Sequence, residues 1–522
     1  MAKRRKPKKR RGPKLPPGVA AEAERVFQAG LAYHQRGDLQ QAEVHYKHAL
    51  SVFPEHAHAL HNLGVLANQV GQFDAAVDII DAAIRSEGDI PLFHFNKGVA
   101  LQELDRPAEA EKAYRRAISL DAKYLVAWEN LGVSLQKQGN FDAAMGVYEH
   151  TQTLDPTSPV AYLNLGTLLM NSGRPADARE QFRTLLELSP AYGEAHLKYA
   201  STCLALGDFE AGWAHYEWRF HAESWREQNP ARVVPYPHWD GSSLDGRTLL
   251  ITAEQGIGDE LMFAACFAEV MARAEHCVIE CDPRLKPLYE RSFPEAGFID
   301  RASAADFEWD SGLAPIDCRI DAGSLPRQLR SSLEHFPEPK PYLRADDQRV
   351  AHWRDRLAGL DSGDASRPSI GISWQGGIDP RARSARSIPL EAWAGLIAST
   401  NANFVSLQYG DHAADIERFN ASASNKIVNF DEIDPLTDMD EFAALVGALD
   451  HVLSIDNSTV FVAGAIGTPV TVMLPGSGEW RWLTDSDTSP WCPGATLLRK
   501  AYRDSWDGVL KQAAAWLQEV GG

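Results

Sequence analysis

Small and apolar residues recur at helical spacing along the first two hundred positions, and the recurrence has a longer period of its own. Gly30, Gly64, Gly98, Gly132 and Gly166 stand 34 residues apart with Ala200 in the next slot, and Ala42, Ala76, Ala110, Ala144, Ala178 and Gly212 follow twelve behind. Two small side chains at a constant offset let two helices approach closely, and Gly37, Gly71, Gly139, Gly173 and Gly207 stand where a turn must join them. A third column, Tyr46, Ile80, Tyr114, Tyr148, Phe182 and Tyr216, is expected to fill the space between units, while Pro54, Pro156 and Pro190 end the second helices. The pattern predicts about five and a half helical hairpins over 21–220, which bury their apolar faces only by stacking.

After Gly246 the period changes. Short apolar runs at Thr248 to Ala253, Cys277 to Glu280, Ser369 to Ser373, Asn403 to Leu407, His451 to Ile455 and Val470 to Leu474 read as strands separated by helical segments. Such alternation predicts α/β units with mainly parallel sheets. A stretch rich in Asp, Ser, Gly and Pro around Asp361 to Pro368 divides the region into lobes at 247–361 and 362–522, expected to be Rossmann-like and to face a cleft. Between the two patterns, from Trp213 to Trp239, aromatics and prolines replace the helical period; this predicts a packed connector, placed at 221–246.

Composition refines this picture. At 522 residues the chain exceeds one ordinary core, and 44% hydrophobic with 24% charged residues describes a globular, multidomain protein. The formal charge is −19, yet Lys3 to Lys14 holds nine basic residues and no acid, so 1–20 reads as a disordered basic tail on an acidic body. An acidic body argues against general nucleic-acid binding. No apolar stretch of signal-peptide type follows the basic start and no run long enough to span a membrane occurs, so a cytoplasmic location is expected. Cysteines at 203, 266, 277, 281, 318 and 492 show no paired spacing and read as buried thiols rather than metal ligands.

Four segments carry candidate chemistry. ITAEQGIGDELMFAACF, 251–267, runs from a strand through Gln255, Gly256 and Gly258 into a helix, and Asp259 there is either a helix cap or a general base toward an acceptor hydroxyl. LSIDNSTVFVAGAIGTPVTVMLP, 453–475, ends a strand at Asp456 and opens a helix with Asn457, Ser458 and Thr459, whose N–H groups and hydroxyls suit a phosphate. After IGISW, Gly376 and Gly377 precede a basic loop with Arg381, Arg383 and Arg386, able to hold a diphosphate without a metal ion. SLQYGD at 406–411 adds Gln408 and Tyr409, whose ring could face a nucleobase.

The 34-residue columns resemble the tetratricopeptide-repeat (TPR) family, which implies recognition of protein segments. The second half resembles the catalytic region of bacterial TPR-linked glycosyltransferases, more distantly heptosyltransferases and O-linked N-acetylglucosamine transferase. The likeness rests on the EQGIGDE loop, GISWQGG, RSIPL at 386–390, SLQYG, the DNST helix start and WRWL at 480–483, in that order. It implies a GT-B fold of two Rossmann-like lobes and a metal-independent, inverting transferase with no cofactor. A nucleotide sugar is the co-substrate, and a protein acceptor, flagellin among the candidates, is recruited by the repeats. It places the base on Asp259 and the phosphate contacts on Arg386, Asn457, Ser458 and Thr459. Relatives commonly carry His five residues after the helix aspartate, where this chain has Phe461. A non-catalytic adaptor and a transferase acting on a glycan therefore stand as alternatives, and oligomerisation is left open.

Overall fold

The computed structural model describes residues 16–229, 232–301, 315–360, 367–376, 386–476 and 479–520. Residues 1–15 of the expected basic tail and 361–366 of the expected break lie outside the described residues, as do Gly377, Arg381 and Arg383, whereas the tail's last residues, Pro17 to Ala20, already open the first helix. The chain divides into two compact units, Met1–Leu168 and Leu169–Gly522.

Six helical hairpins run from Pro17–Gln35 with Leu39–Val52 to Gly193–Ala205 with Phe209–Tyr216. Their close contacts come from the two sequence columns, but not as the pattern suggested. The large residue sixteen positions after each glycine packs on that glycine, inside its own hairpin rather than between hairpins. A methyl group built on Gly30, Gly64, Gly98 or Gly132 would lie 2.8, 2.5, 2.5 or 2.3 Å from Tyr46, Ile80, Tyr114 or Tyr148 respectively. The tyrosine hydroxyls then find partners one turn from the glycine: Tyr148 donates to Oε1 of Gln136 at 2.6 Å, and Tyr114 to Gln102. The turns take left-handed backbone at Gly37, Gly71, Gly139, Gly173 and Gly207, and in the one slot without glycine Asp105 adopts φ 53°.

Within the second unit, ten strands among the described residues form two parallel sheets. The first contains β1 (Leu244–Thr252), β2 (Ala274–Cys281), β3 (Gly297–Asp300) and β4 (Cys318–Asp321) in the order β3-β2-β1-β4. The second contains β5 (Ser369–Ser373), β6 (Asn403–Ser406), β7 (Ile427–Val428), β8 (His451–Ile455), β9 (Val470–Leu474) and β10 (Ala495–Arg499) in the order β10-β9-β8-β5-β6-β7. The pattern located β1, β2, β5, β6, β8 and β9. It missed β3, β4, β7 and β10, whose runs are too short or too polar to stand out. Burial is complete along β5, β6, β8 and β9, as expected for parallel strands covered on both faces. All six cysteines are free and buried.

The stretch from Trp213 onward is not a connector at its start. Trp213 and Tyr216 end the helix Phe209–Tyr216, followed by a tight turn at Glu217–His221 and a helix Glu223–Gln228. Trp213 is buried and meets Trp480 and Trp491 edge-on at 5.3 and 5.8 Å, and its indole N–H donates to the Arg330 carbonyl at 2.9 Å. A helical period interrupted by tryptophan thus marks a helix with two buried faces rather than a loop.

Arg219 follows at once and is fully buried. Its guanidinium donates to Oε2 of Glu254 at 3.1 and 3.3 Å and to the Ser324 hydroxyl at 2.7 Å. The Tyr216 and Phe220 rings lie 4.8 and 4.1 Å from it. Glu254 is the residue after Ala253 in the loop that leaves β1, so the last hairpin fixes that loop through a buried charge pair.

Two variants test these packings by circular-dichroism melting of the full chain. Gly132→Val drives a side chain into the Tyr148 ring and is expected to destabilise the repeats by about 1–3 kcal/mol; an unchanged helical melt would mean the ring moves aside freely. Arg219→Met strands the Glu254 carboxylate and should cost about 3–5 kcal/mol. Adding Glu254→Gln should recover most of that loss, and a double variant no more stable than the single one would refute the pairing.

Candidate functional site

Ligands of parallel sheets gather beyond the carboxyl ends of the strands where the order reverses. In the second sheet that point lies between β5 and β8, and in the first between β1 and β4. Gln255–Asp259 follow β1, Gly376 follows β5, and Asp456–Thr459 follow β8, so the segments singled out in the sequence fall at these reversals.

The loop after β1 is held in an uncommon backbone. Gln255 has φ 63°, a left-handed conformation that a non-glycine residue keeps only when its surroundings impose it. Here its N–H donates to Oδ1 of Asn229 at 3.2 Å, its amide donates to the Tyr216 hydroxyl at 2.8 Å, and its carbonyl accepts from Arg301 at 2.7 Å. Gly256 then caps the helix Ile257–Phe263. Asp259 is the third helical residue: the Gly256 N–H at the N-cap bears on its carboxylate, which also turns toward Nη2 of Arg481 at 3.2 Å, so a capping part and a base part both remain open to it. Its neighbour Glu260 points the other way, accepting from the Asp282 N–H at 3.0 Å and from Arg301 at 2.9 Å, and burial pushes its carboxyl up to about 7. Gly258 brings this helix against the next. A methyl there would sit 3.6 Å from the Ser458 Cα and 3.7 Å from the Phe461 ring.

The helix Ser458–Ile466 is capped by Asn457, whose Oδ1 accepts from the Thr459 N–H at 3.1 Å and whose Nδ2 donates to the Ser373 hydroxyl at 2.7 Å. The Val460 N–H returns to the Asn457 carbonyl at 3.2 Å, and Thr459 is 1% exposed. The expected side-chain contacts from Asn457 and Thr459 to a phosphate are therefore corrected. The Asn457 side chain serves the helix start itself, because an N-cap side chain satisfies the helix's own donors first, and Thr459 is closed off by burial. Ser458 is the half-buried member of the three. Gln408 is likewise turned inward: its Oε1 accepts from the Trp374 and Gln375 N–H groups at 3.0 and 2.8 Å, and its amide donates to the Gln375 carbonyl at 3.0 Å. It shapes the loop after β5 instead of facing a ligand. Gly376 passes so close to β8's end that a methyl would lie 3.0 Å from the Asp456 carbonyl. Tyr409 is half-buried beside Gly410, whose φ is 83°.

Five charged groups converge here. Arg386 pairs with Glu479 and lies 3.9 Å from Oδ2 of Asp456, while Arg481 reaches Asp259. Burial raises the Asp259 carboxyl above its ordinary value; Arg481 opposes the rise and Glu479 adds to it. Burial likewise raises Asp456 against the pull of Arg481. Phe461 lies beneath, stacked on Trp482 with centroids 5.4 Å apart and with the Arg481 guanidinium 5.7 Å from its own centroid. Glu479 and Arg481 were not singled out by sequence reasoning, although WRWL was part of the resemblance. A charged residue set between two tryptophans was the available signal. Among the described residues, no group of three or more His, Cys, Asp or Glu side chains is arranged to hold a metal ion, and no helix is long and apolar enough to cross a membrane.

Comparison with known proteins bears on the two halves unequally. Models of the tetratricopeptide repeat match residues 21–94, 69–124, 95–159, 135–187 and 163–217, so the first part of the chain is a TPR array. The chain is 28% identical to Protein FlbA of Caulobacter vibrioides over 95% of its own length and 85% of that protein's. It is 36% identical over 83 residues to Protein O-mannosyl-transferase F38B6.6 of Caenorhabditis elegans, covering 16% of this chain and 12% of that one. The crystal structure of MamA, 25% identical, covers 31% of this chain and 94% of its own at a TM-score of 0.30. The chain is thus a tetratricopeptide-repeat protein joined to an α/β region of two parallel sheets, similar along nearly its whole length to FlbA.

Proposed function

We propose that the α/β region is a GT-B glycosyltransferase that moves a sugar from a nucleotide sugar to a hydroxyl of a protein held by the repeats. The observation that carries this reading is the meeting of Asp259 with Arg481, Arg386, Glu479 and Asp456 at the order reversals of two parallel sheets. A carboxylate raised by burial is suited to accept a proton, and two guanidiniums beside a helix start are suited to a departing diphosphate. Asp259 takes the acceptor's O–H proton as the oxygen bonds to the anomeric carbon. The carbon–oxygen bond to the diphosphate breaks, and its electron pair leaves with the nucleoside diphosphate. The second sheet's order, two three-stranded halves running outward from β5 and β8, is that of dinucleotide-binding folds and supports a nucleotide in its crevice. The small match to a named O-mannosyl-transferase points the same way, within its short span.

A protein acceptor is supported by a further column on the first helices of successive hairpins. Asn62, Asn96, Asn130 and Asn164 recur every 34 residues and are half-buried, and four positions before the last three stand Leu92, Val126 and Val160, exposed by 45, 45 and 44%. Asn62, Asn96 and Asn130 each bring an amide nitrogen to His58, His61 or Val126, which leaves their amide oxygens to accept from the N–H groups of an extended peptide laid along the exposed aliphatics. Flagellin is the first acceptor to assay, with a glycan as the control. The adaptor reading draws on Phe461, which sets an apolar ring under the cluster; release of nucleoside diphosphate only when acceptor is present would rule it out.

Asp259→Asn keeps the shape of the side chain and removes its basicity. Transfer should fall by about 10²–10⁴-fold with nucleotide-sugar affinity little changed; full turnover in this variant would remove Asp259 from the mechanism. Arg386→Ala should weaken donor binding in calorimetry, and an unchanged dissociation constant would make Arg386 a partner of Glu479 alone. Because Asp259 acts when ionised, the rate should decline as pH falls through its raised value. The acid limb of the pH–rate profile is therefore expected above the 3.8 of an ordinary aspartate and should vanish from the residual rate of the asparagine variant.

A further inference from the structure

Arg481 stands where the two sheets' loops meet. It belongs to the short turn Trp480–Trp482 beyond β9, and its guanidinium lies 5.6 Å from the Trp480 ring and 5.7 Å from the Phe461 ring, which hold it in place. Its Nη2 is 3.2 Å from Oδ1 of Asp259, close enough for strong attraction, yet that oxygen has no hydrogen-bond partner among the described residues. Neither has Nε of Arg481, although both atoms are buried. A buried acceptor and a buried donor left unmatched on adjacent side chains is a rare arrangement, and it leaves one place for a hydroxyl proton and another for an anionic oxygen.

We propose that Arg481 couples donor to base: its Nη2 orients the Asp259 carboxylate toward the acceptor hydroxyl, and its Nε receives an oxygen of the donor's diphosphate. This rests on the transferase reading and adds to it a residue and a coupling. The acceptor proton moves to Oδ1 of Asp259 while the bond from the anomeric carbon to the diphosphate breaks, and the negative charge gained by the diphosphate falls against Nε. One guanidinium thus touches the group that gains a proton and the group that gains an electron pair.

The charges facing Asp259 set the direction of the test. Arg481 and Arg386 oppose Glu479 and Asp456, the Tyr216 phenol lies nearby, and Lys198 of the last hairpin acts on Glu479. Without Arg481, one guanidinium faces three carboxylates, so Asp259 takes up its proton at higher pH. Lysine at the same position keeps a charge but offers neither the Nε donor nor the planar fork.

The experiment is calorimetry of the full chain with UDP, GDP, CDP and ADP and with the matching nucleosides, joined to pH–rate profiles. The wild type is expected to bind one diphosphate. Arg481→Gln should weaken it about tenfold or more while leaving the nucleoside's affinity unchanged, as expected for a lost charge-assisted bond. The residual transfer of the glutamine variant should show an acid limb moved to higher pH, whereas Arg481→Lys, which keeps the charge, should restore only part of the affinity and return the limb toward that of the wild type. Should the glutamine variant not fold, the lysine variant decides alone by its affinity. Wild-type diphosphate affinity in a folded Arg481 variant overturns the assignment and leaves the transferase reading standing. Failure of the wild type to bind any diphosphate or nucleoside removes the transferase reading, and this coupling with it.

Discussion

The buried pair of Arg219 and Glu254 is the constraint through which the rest of the second unit is organised. A guanidinium with no exposure is tolerable only when its charge is matched and its remaining donors are used, and Glu254, Ser324, Glu217 and the Tyr216 carbonyl supply those partners. The consequence is geometric. Glu254 belongs to the loop that leaves β1, and Ser324 to the segment after β4, so the arginine joins the end of the helical array to both strands at which the first sheet reverses. Gln255 in its left-handed backbone and the start of the helix bearing Asp259 follow within five residues.

Tryptophan does for the apolar side what Arg219 does for the charged side. Trp213, Trp480 and Trp491 meet edge-on at 5.3 to 5.8 Å, an arrangement favoured by the ring quadrupoles. Trp480 is also the residue before Arg481. The aromatic core under the last hairpin and the guanidinium beside Asp259 are therefore one piece of chain, and the hairpin that ends the repeats supports the candidate site directly.

The charges around Asp259 show why two neighbouring acids in one helix differ. Glu260 is buried and enclosed by the Asp282 N–H and Arg301, whereas Asp259 is half-buried and its Oδ1, 3.2 Å from Nη2 of Arg481, has no hydrogen-bond partner among the described residues. The first arrangement is complete and structural. The second is open to a hydroxyl.

The repeats were legible in the sequence because their geometry is local. A glycine and a ring sixteen residues later meet within one hairpin, so a period of 34 and two offsets specify the contact, down to the left-handed turn that even Asp105 adopts. Strands β5, β8 and β9 were legible for the same reason, as continuous apolar runs. What tertiary structure alone decided is the use of each polar side chain at the site. Asn457 and Gln408 look like ligand contacts in the sequence, and they became internal braces because helix caps and loop N–H groups compete for the same atoms. Arg481 looked like part of an aromatic run and became Asp259's partner across 222 positions, a distance over which no local pattern carries information.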